Sequence, residues 1–391
     1  LLPQPLVNLS EADAMSQHYY REEHEAFREQ VKRFIAKEIL PFHSQWEVDG
    51  IVPRSLWQRA GQLGLLCMTS PSAYGGQDAD ILFPFVLNEE LAKTYVTGPS
   101  FGLHSDIIAP YLVHFGTEEQ KQSWLPKMAS GEVITAIAMT EPGAGSDLQA
   151  IKTRADRDGD DYLITGQKTF ISNGQLADMV VVVAKTDPSQ GAKGVSLFLV
   201  EADREGFKRG RNLEKIGRKA QDTSELFFDQ VRIPIANRLA PEGQGFFCLM
   251  KELPRERMLI AVSAMATTEA VLDDTIAYVK SRQIFGKPII DFQHNRFTLA
   301  GLKTEVKVAR AFINQCMLEL LEDRLEGATA AMAKLHVTEL QNRVIDACLQ
   351  LHGGYGYMWE YPVARAWADS RISRIYGGSS EVMKELIGRT L

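Results

Sequence analysis

Ala138-Met-Thr-Glu-Pro-Gly-Ala-Gly-Ser-Asp147 joins the end of an apolar, β-type run to a turn rich in glycine and hydroxyl groups. Upstream, Val133-Ile-Thr-Ala-Ile-Ala138 has the composition of a buried strand, and Pro142, Gly143 and Gly145 then punctuate the chain. Small residues let a backbone approach a ligand closely, and N–H groups left free in such a turn suit a pyrophosphate. Taken alone, the stretch is compatible with a tight surface turn or with the seat of a phosphorylated, planar cofactor. A second block, Gly166-Gln-Lys-Thr-Phe-Ile-Ser-Asn-Gly174, lies a little further on.

The pattern outward from these blocks sets the fold class. On the N-terminal side, beyond a polar leader, helical spacing of Phe27, Val31, Phe34 and Ile35 predicts an amphipathic helix over Tyr20–Ile39 that Pro41 ends. Further helices are expected at Arg54–Leu65, Phe83–Thr94, Gly102–Phe115 and Glu118–Met128. From about Gly131 the period changes, and Tyr162-Leu-Ile, Met179–Ala184, Val195–Val200 and Glu225–Phe228 read as short strands. Asp158-Gly159-Asp160 and Asn173-Gly174 are turn signals between them, and Pro234 with Pro241–Gly245 closes the region. Helical periodicity then resumes at Phe246, most clearly over Glu256–Lys280, Phe297–Leu321 and Thr329–Leu351. The expectation is an α+β multi-domain chain: an N-terminal α-helical domain (1–130), a middle β-barrel or sandwich domain (131–241) and a C-terminal four-helix bundle (242–391). The absence of alternating strand–helix units argues against a doubly wound sheet.

Composition narrows the function classes. With 391 residues, 45% apolar and 24% charged, the sequence describes an ordinary globular protein with a sizeable core. A formal charge of −7 argues against nucleic acid as the main partner, because phosphate backbones are bound by a basic field. Cys67, Cys248, Cys316 and Cys348 lack paired metal-type spacing and read as reduced core thiols. No apolar run approaches the roughly 20 residues of a membrane span. The N-terminus shows no signal pattern; because it starts without Met, trimming and a removed presequence stay open.

In residue order, Met-Thr-Glu-Pro-Gly-Ala-Gly-Ser-Asp resembles the flavin-binding signature of the acyl-CoA dehydrogenase family. The Gly166–Gly174 block falls where that family carries its second flavin-contacting strand. The resemblance covers nearly the whole chain and is closest to the long-chain branch. It implies FAD as cofactor and α,β-dehydrogenation of an acyl-CoA, medium or long, to a trans-2-enoyl-CoA.

Such chemistry needs a carboxylate to take the α-proton while a hydride leaves the β-carbon. In many family members the base is a Glu in a late motif, which here reads Arg374-Ile-Tyr-Gly-Gly-Ser-Ser380 with Gly377 in its place. The long-chain and isovaleryl branches supply the base from another helix, and their motif matches Leu253-Pro-Arg-Glu-Arg-Met258, so resemblance makes Glu256 the base. Gly377 would then leave room for it. Pro254 suits a helix start, which would put Glu256 in a first turn near the positive end of the helix dipole. By the same resemblance the Gly377 backbone N–H and the flavin's ribityl 2′-hydroxyl hold the thioester carbonyl oxygen.

The remaining site residues are implied by position. Ala138, Met139 and Thr140 would contact the isoalloxazine edge, with Gly145 and Ser146 at the phosphate side; Phe170, Ile171 and Ser172 would meet the flavin face and N5. Arg282, Phe285 and Gln293, with Gln350, Gly353 and Gly354, would reach the FAD of a neighbouring subunit, while Ser379, Ser380 and Glu381 meet the adenylate side. Substrate contacts would come from Ser146, Lys193, Phe247, Arg257, Gly377 and Gly378. Acyl length would be set around Ser100–Leu112, where Gly98, Gly102 and Ala109 suit either a deep channel or helix packing. His104 and Asp106 there read as satisfied polar residues.

The resemblance further implies electron transfer to an electron-transferring flavoprotein and a homotetramer built as a dimer of dimers. It implies a cytoplasmic location in a bacterium or the mitochondrial matrix in a eukaryote. Three alternatives stay open: a branched-chain dehydrogenase, an oxygen-using relative, and an inactive acyl-CoA-binding scaffold, for which Gly377 is the argument and Glu256 the counter-argument.

Overall fold

Helix α1 (Glu22–Phe34) places Glu22, Glu23 and Glu25 in its first turn and Lys32 and Arg33 in its last, charges that oppose the helix dipole. The computed structural model describes residues 19–391; the polar leader and the N-terminal start lie outside the described residues. Contrary to the sequence expectation, Pro41 does not end this helical run. A π-helical segment, Ile35–Ile39, hands over to α2 (Leu40–Asp49), where Pro41 sits in the first turn and no intrahelical N–H bond is lost. Helices α3 (Arg54–Gln62) and α4 (Leu82–Lys93) follow. A second π segment, Leu103–Ile108, runs into α5 (Ala109–Phe115), and α6 (Glu118–Ala129) starts at a Thr117–Gln120 capping box.

The strands that follow form one eight-stranded sheet, ordered β6-β7-β3-β2-β4-β5-β8, with β1 pairing β4 in parallel. They are β1 (Thr135–Ala138), β2 (Arg154–Asp158), β3 (Asp161–Ser172), β4 (Met179–Lys185), β5 (Val195–Glu201), β6 (Phe207–Asn212), β7 (Thr223–Pro234) and β8 (Arg238–Leu239). Met179–Ala184 is buried on both faces, which is why it reads as an unbroken apolar run. The turn at Asp158–Asp161 closes the β2–β3 hairpin as expected. Charged strands β2 and β6, missed in the sequence, present mostly exposed side chains and so lack an apolar signature.

The C-terminal region is built on α7 (Gly245–Ser281), which packs with α8 (Gln293–Leu321), α9 (Gly327–Leu351) and α10 (Pro362–Ser370), while α11 (Ser380–Gly388) packs on α9. Between α7 and α8 the short strands β9 (Gln283–Ile284) and β10 (Lys287–Pro288) form a hairpin. Leu82 and Phe85 of α4 share an apolar core with Met258, Met265, Leu302 and Val344, so the N-terminal helices and the bundle are packed as one. The start of α7 enters a second core, where Cys248 and Leu249 join Tyr111, Leu112, Val181 and Leu197. A buried ion network adds to this: Arg28 donates to Glu90 (2.7 Å) and Glu89, and Arg310 to Glu269 (2.5 Å). All four cysteines are buried and free, as expected. Among the described residues, no helix is long and apolar enough to cross a membrane.

Candidate active site

Three elements carry the expected flavin and base residues: the β1 turn with the end of β3, the middle of α7, and the Gly377–Gly378 turn before α11. The first pair is joined directly. Thr169 N–H donates to Thr140 O at 2.9 Å, and the buried Lys168 ammonium donates to Met139 O at 3.0 Å and to Glu141 Oε1 at 2.9 Å. Glu141 in turn accepts the Lys152 and Thr153 N–H groups at 2.6 and 2.9 Å, which closes the Gly-rich turn back on the sheet. Burial lowers the Lys168 ammonium to about 8 against the opposing pull of Glu141. Sequence reasoning quoted both residues without giving them a role; that a charged pair falls inside two apolar, Gly-rich blocks is the signal that could have found them.

Around Thr169 and Phe170 the β3–β7 register shifts. Phe170 takes a left-handed conformation (φ 60°) and stands 67% exposed, so the irregularity re-aims an aromatic ring out of the sheet. Ile171 instead points into the core, leaving only its backbone for a ligand. Ala138 is buried, whereas Gly145 and Ser146 are exposed, and nothing lies within 4 Å of where a side chain would grow from Gly143 or Gly145. An open, backbone-rich turn beside a presented aromatic ring fits an isoalloxazine with its phosphates. The exposed Lys193 belongs to the loop whose carbonyl packs over Gly243, just before α7 and Phe247, and Gly191 of that loop approaches Gln149. Lys193 thus neighbours the start of the helix that carries Phe247, and Gln149, three residues after Ser146, lies against the same loop.

Glu256 does not sit in a helix's first turn. The helix begins at Gly245 and carries Pro254 in its interior, so Glu256 lies well beyond the reach of the N-terminal dipole. Its environment acts the opposite way. The carboxyl is 6% exposed, and burial raises it to about 7; Tyr111, donating from 3.0 Å, and Arg257 favour the charge, while Glu252 opposes it. Glu252 is itself bonded to His114 Nδ1 at 2.7 Å. Tyr111 was not legible in the sequence, since nothing local marks it.

Gly377 (φ 64°) abuts the same face of α7. A side chain there would overlap Ile260 Cδ1, and Ile260 lies one helical turn beyond Glu256. The space freed at 377 is therefore taken first by Ile260, a correction to the expectation that the base itself fills it. Gly377 nonetheless packs against α7 within one helical turn of Glu256. Among the described residues the Gly377 N–H has no protein partner, as a donor for an incoming oxygen requires. Arg257 is buried with its Nε unpartnered, and Gly378 O accepts from Lys334 Nζ at 2.7 Å. Beyond the turn, Ser379 caps α11 at Val382, Ser380 is buried and donates to Glu339, and Glu381 is exposed.

Gly98 and Gly102 open no channel. A side chain at Gly98 would meet Val52 at 2.8 Å and Ala220 at 2.9 Å, and one at Gly102 would meet Asn88 at 2.7 Å and Leu259 at 3.2 Å. Ala109 is likewise packed. His104 is satisfied, with Thr135 at one ring nitrogen and Met128 O at the other. Asp106 is satisfied only in part. One oxygen accepts from Asn88, the other is buried without a partner, and burial raises the carboxyl to about 7.

The second set of expected cofactor residues lies elsewhere on the chain. Arg282, Gln350, Gly353 and Gly354 line a cavity of about 710 Å³ with His294, Tyr355 and Met358. Phe285 beside it is 92% exposed, and Gln293 is exposed at the start of α8. Along α7, Arg282 is 26 residues from Glu256, roughly 39 Å at the helical rise.

Three family profiles match the chain: "Acyl-CoA dehydrogenase, N-terminal domain" over residues 21–132, "middle domain" over 136–231 and "C-terminal domain" over 243–391. The long-chain specific acyl-CoA dehydrogenase, mitochondrial, of Sus scrofa is 49% identical over 95% of this chain and 87% of its own length. Among solved structures, an acyl-CoA dehydrogenase from Geobacillus kaustophilus superposes with a TM-score of 0.93 at 47% identity, covering 96% of this chain and 99% of that one. A glutaryl-CoA dehydrogenase from Mycobacterium smegmatis in complex with FADH2 gives 0.89 at 28% identity, covering 98% and 96%.

Proposed function

The chain belongs to the acyl-CoA dehydrogenase family, oxidoreductases that act on CH–CH bonds with FAD, and we propose that it dehydrogenates medium- or long-chain acyl-CoA with Glu256 as the base. The observation that carries this reading is a buried carboxyl raised to about 7, one helical turn along α7 from Ile260, the residue that packs against Gly377. Raised to about 7, Glu256 is a far better match to a weakly acidic C–H than an exposed carboxylate would be. It takes the α-proton as the C2–C3 double bond forms; the Gly377 N–H donates to the thioester carbonyl oxygen as negative charge develops there.

Ala138–Thr140, Gly145, Ser146, Phe170, the Ile171 backbone and Ser172 would hold the flavin, with Ser379, Ser380 and Glu381 on the adenylate side. When bound, FAD supplies the acceptor for the β-hydride. Lys193, Phe247, Arg257 and Gly378 with Ser146 would orient the CoA thioester. Arg282, Phe285, Gln293, Gln350, Gly353 and Gly354 would serve the FAD of a neighbouring subunit, which their distance from Glu256 and the exposure of Phe285 support. A homotetramer is the assembly we assign, with an electron-transferring flavoprotein as the oxidant. Domain boundaries are placed at 130 and 241, and the location at the mitochondrial matrix in a eukaryote or the cytoplasm in a bacterium.

Long-chain preference rests on 49% identity to a long-chain enzyme against 36% to a short-chain one from Clostridium acetobutylicum. Anaerobic mixing of the FAD-loaded protein with acyl-CoAs from C4 to C18 and with isovaleryl-CoA tests it. Bleaching fastest at C12 or longer is expected; fastest bleaching by isovaleryl-CoA would assign the branched-chain reaction instead. Glu256→Gln should keep FAD and ligand yet bleach slower by about 10² to 10⁴. Equal bleaching by that variant would remove Glu256 from the mechanism.

A further inference from the structure

Two consecutive glycines with positive φ, Gly377 (64°) and Gly378 (92°), carry the N–H that the proposed reaction relies on. Such a turn has the greatest backbone freedom of any dipeptide, whereas an oxyanion donor works only when its direction is fixed beforehand. The segment is moored to α9 at both ends. Arg374 Nε and Ser380 Oγ both donate to Glu339, at 2.8 and 2.6 Å. Among the described residues one side chain hydrogen-bonds its middle: Lys334, also on α9, whose Nζ donates to Gly378 O at 2.7 Å.

Lys334 is an unusual choice for a mere structural tie. Its side chain is fully buried, no carboxylate lies within ion-pairing distance among the described residues, Arg257 is a second cation near it, and Glu339 and Glu381 offset the repulsion only from further off. Burial, and then Arg257, lower its ammonium to about 8, so the charge is present at neutral pH at a cost that stability alone would not favour. Lys334 thus sits at the turn beside which negative charge is proposed to develop. We propose that Lys334 is a positioning residue of the reaction: through Gly378 O it fixes the Gly377–Gly378 turn so that the Gly377 N–H faces the thioester carbonyl. This rests on the dehydrogenase reading above.

The test uses the full-length, FAD-loaded protein and a 3-thia-acyl-CoA. That thioester can give its α-proton to Glu256, but sulfur at position 3 carries no hydrogen to leave as hydride, so ionisation is seen without turnover. The readout is the long-wavelength absorbance of the enolate against oxidised flavin, followed with pH. In Lys334→Met the pH midpoint should rise by at least one unit, a tenfold loss of ligand acidity, with FAD content and binding of the un-ionised ligand kept within about twofold. Amide exchange of the segment 375–379, followed by mass spectrometry, should quicken at least tenfold. Lys334→Gln, which keeps an N–H donor, should fall between the two and stands in if the Met variant does not fold. An unchanged midpoint in either folded variant overturns the proposal. Absence of the band from the unmodified protein sinks the dehydrogenase reading itself.

Discussion

Tyr111 donates its phenolic hydroxyl to Glu256 Oε1 at 3.0 Å, both side chains buried where α5 crosses α7. This bond is the one neutral group that favours the charged base, against a larger effect of burial that raises it to about 7. Only the carboxylate can take a proton, so flavin bleaching should rise with pH through about 7 and level off above it. Removing the donor in Tyr111→Phe should move that limb to higher pH, by about one unit. Stopped-flow bleaching across pH 5.5–9 checks both, and a limb that moves down would contradict the assignment.

The same shift has a stability consequence. Glu256 is raised above its unfolded value of about 4.3, so the ionised form is disfavoured by folding. That cost is absent below about pH 4, grows as pH rises toward 7 and is constant beyond. Glu256→Gln escapes it, and thermal melts should show the variant gaining on the native protein between pH 5 and 8, by as much as about 3 kcal/mol. A gap that narrows with pH would mean the carboxyl is not raised.

Gly377 tolerates no side chain, for two reasons that can be separated. Alanine there meets both a left-handed backbone and Ile260 Cδ1. Gly377→Ala should lose about 1–3 kcal/mol. Pairing it with Ile260→Ala should recover the steric part only, as a double-mutant cycle of chemical denaturation would show.

Lys168 and Glu141 form a buried pair that holds Met139 O and the turn after β1. Removing Lys168 leaves the buried Glu141 charge with only two backbone N–H donors and no counter-ion, so Lys168→Met should cost about 3 kcal/mol and lower the FAD-to-protein ratio. Absorbance at the flavin band, with melting temperature, reads both. A stable, fully loaded variant would deny the pair its role.

Arg282 projects beside the 710 Å³ cavity at the far end of α7. If a neighbouring subunit's FAD is held there, Arg282→Ala should release FAD at least tenfold more readily while assembly, followed by sedimentation, is retained. Unchanged FAD affinity would place the nucleotide elsewhere.

The order of residues was enough for a good deal of this. Met-Thr-Glu-Pro-Gly-Ala-Gly-Ser-Asp, the Gly166–Gly174 block and the Leu253–Met258 run are contiguous, and contiguous chemistry is readable without coordinates. The change from helical to strand periodicity near Gly131 and back near Phe246 was equally plain, because burial on one face repeats at a fixed interval. What the sequence left out depends on groups distant along the chain. Pro254 is compatible with a helix start or a helix interior, and only packing of α7 against two cores chose the interior. The π segments at Ile35–Ile39 and Leu103–Ile108 have no local signature. Tyr111, Lys334 and the Lys168–Glu141 pair reach their partners across 145, 44 and 27 positions respectively. The proposal of Glu256 as base came from the chain alone, whereas the raised affinity of its carboxyl for a proton was decided by what the folded chain removes water from, since desolvation is a property of neighbours in space and not of neighbours in sequence.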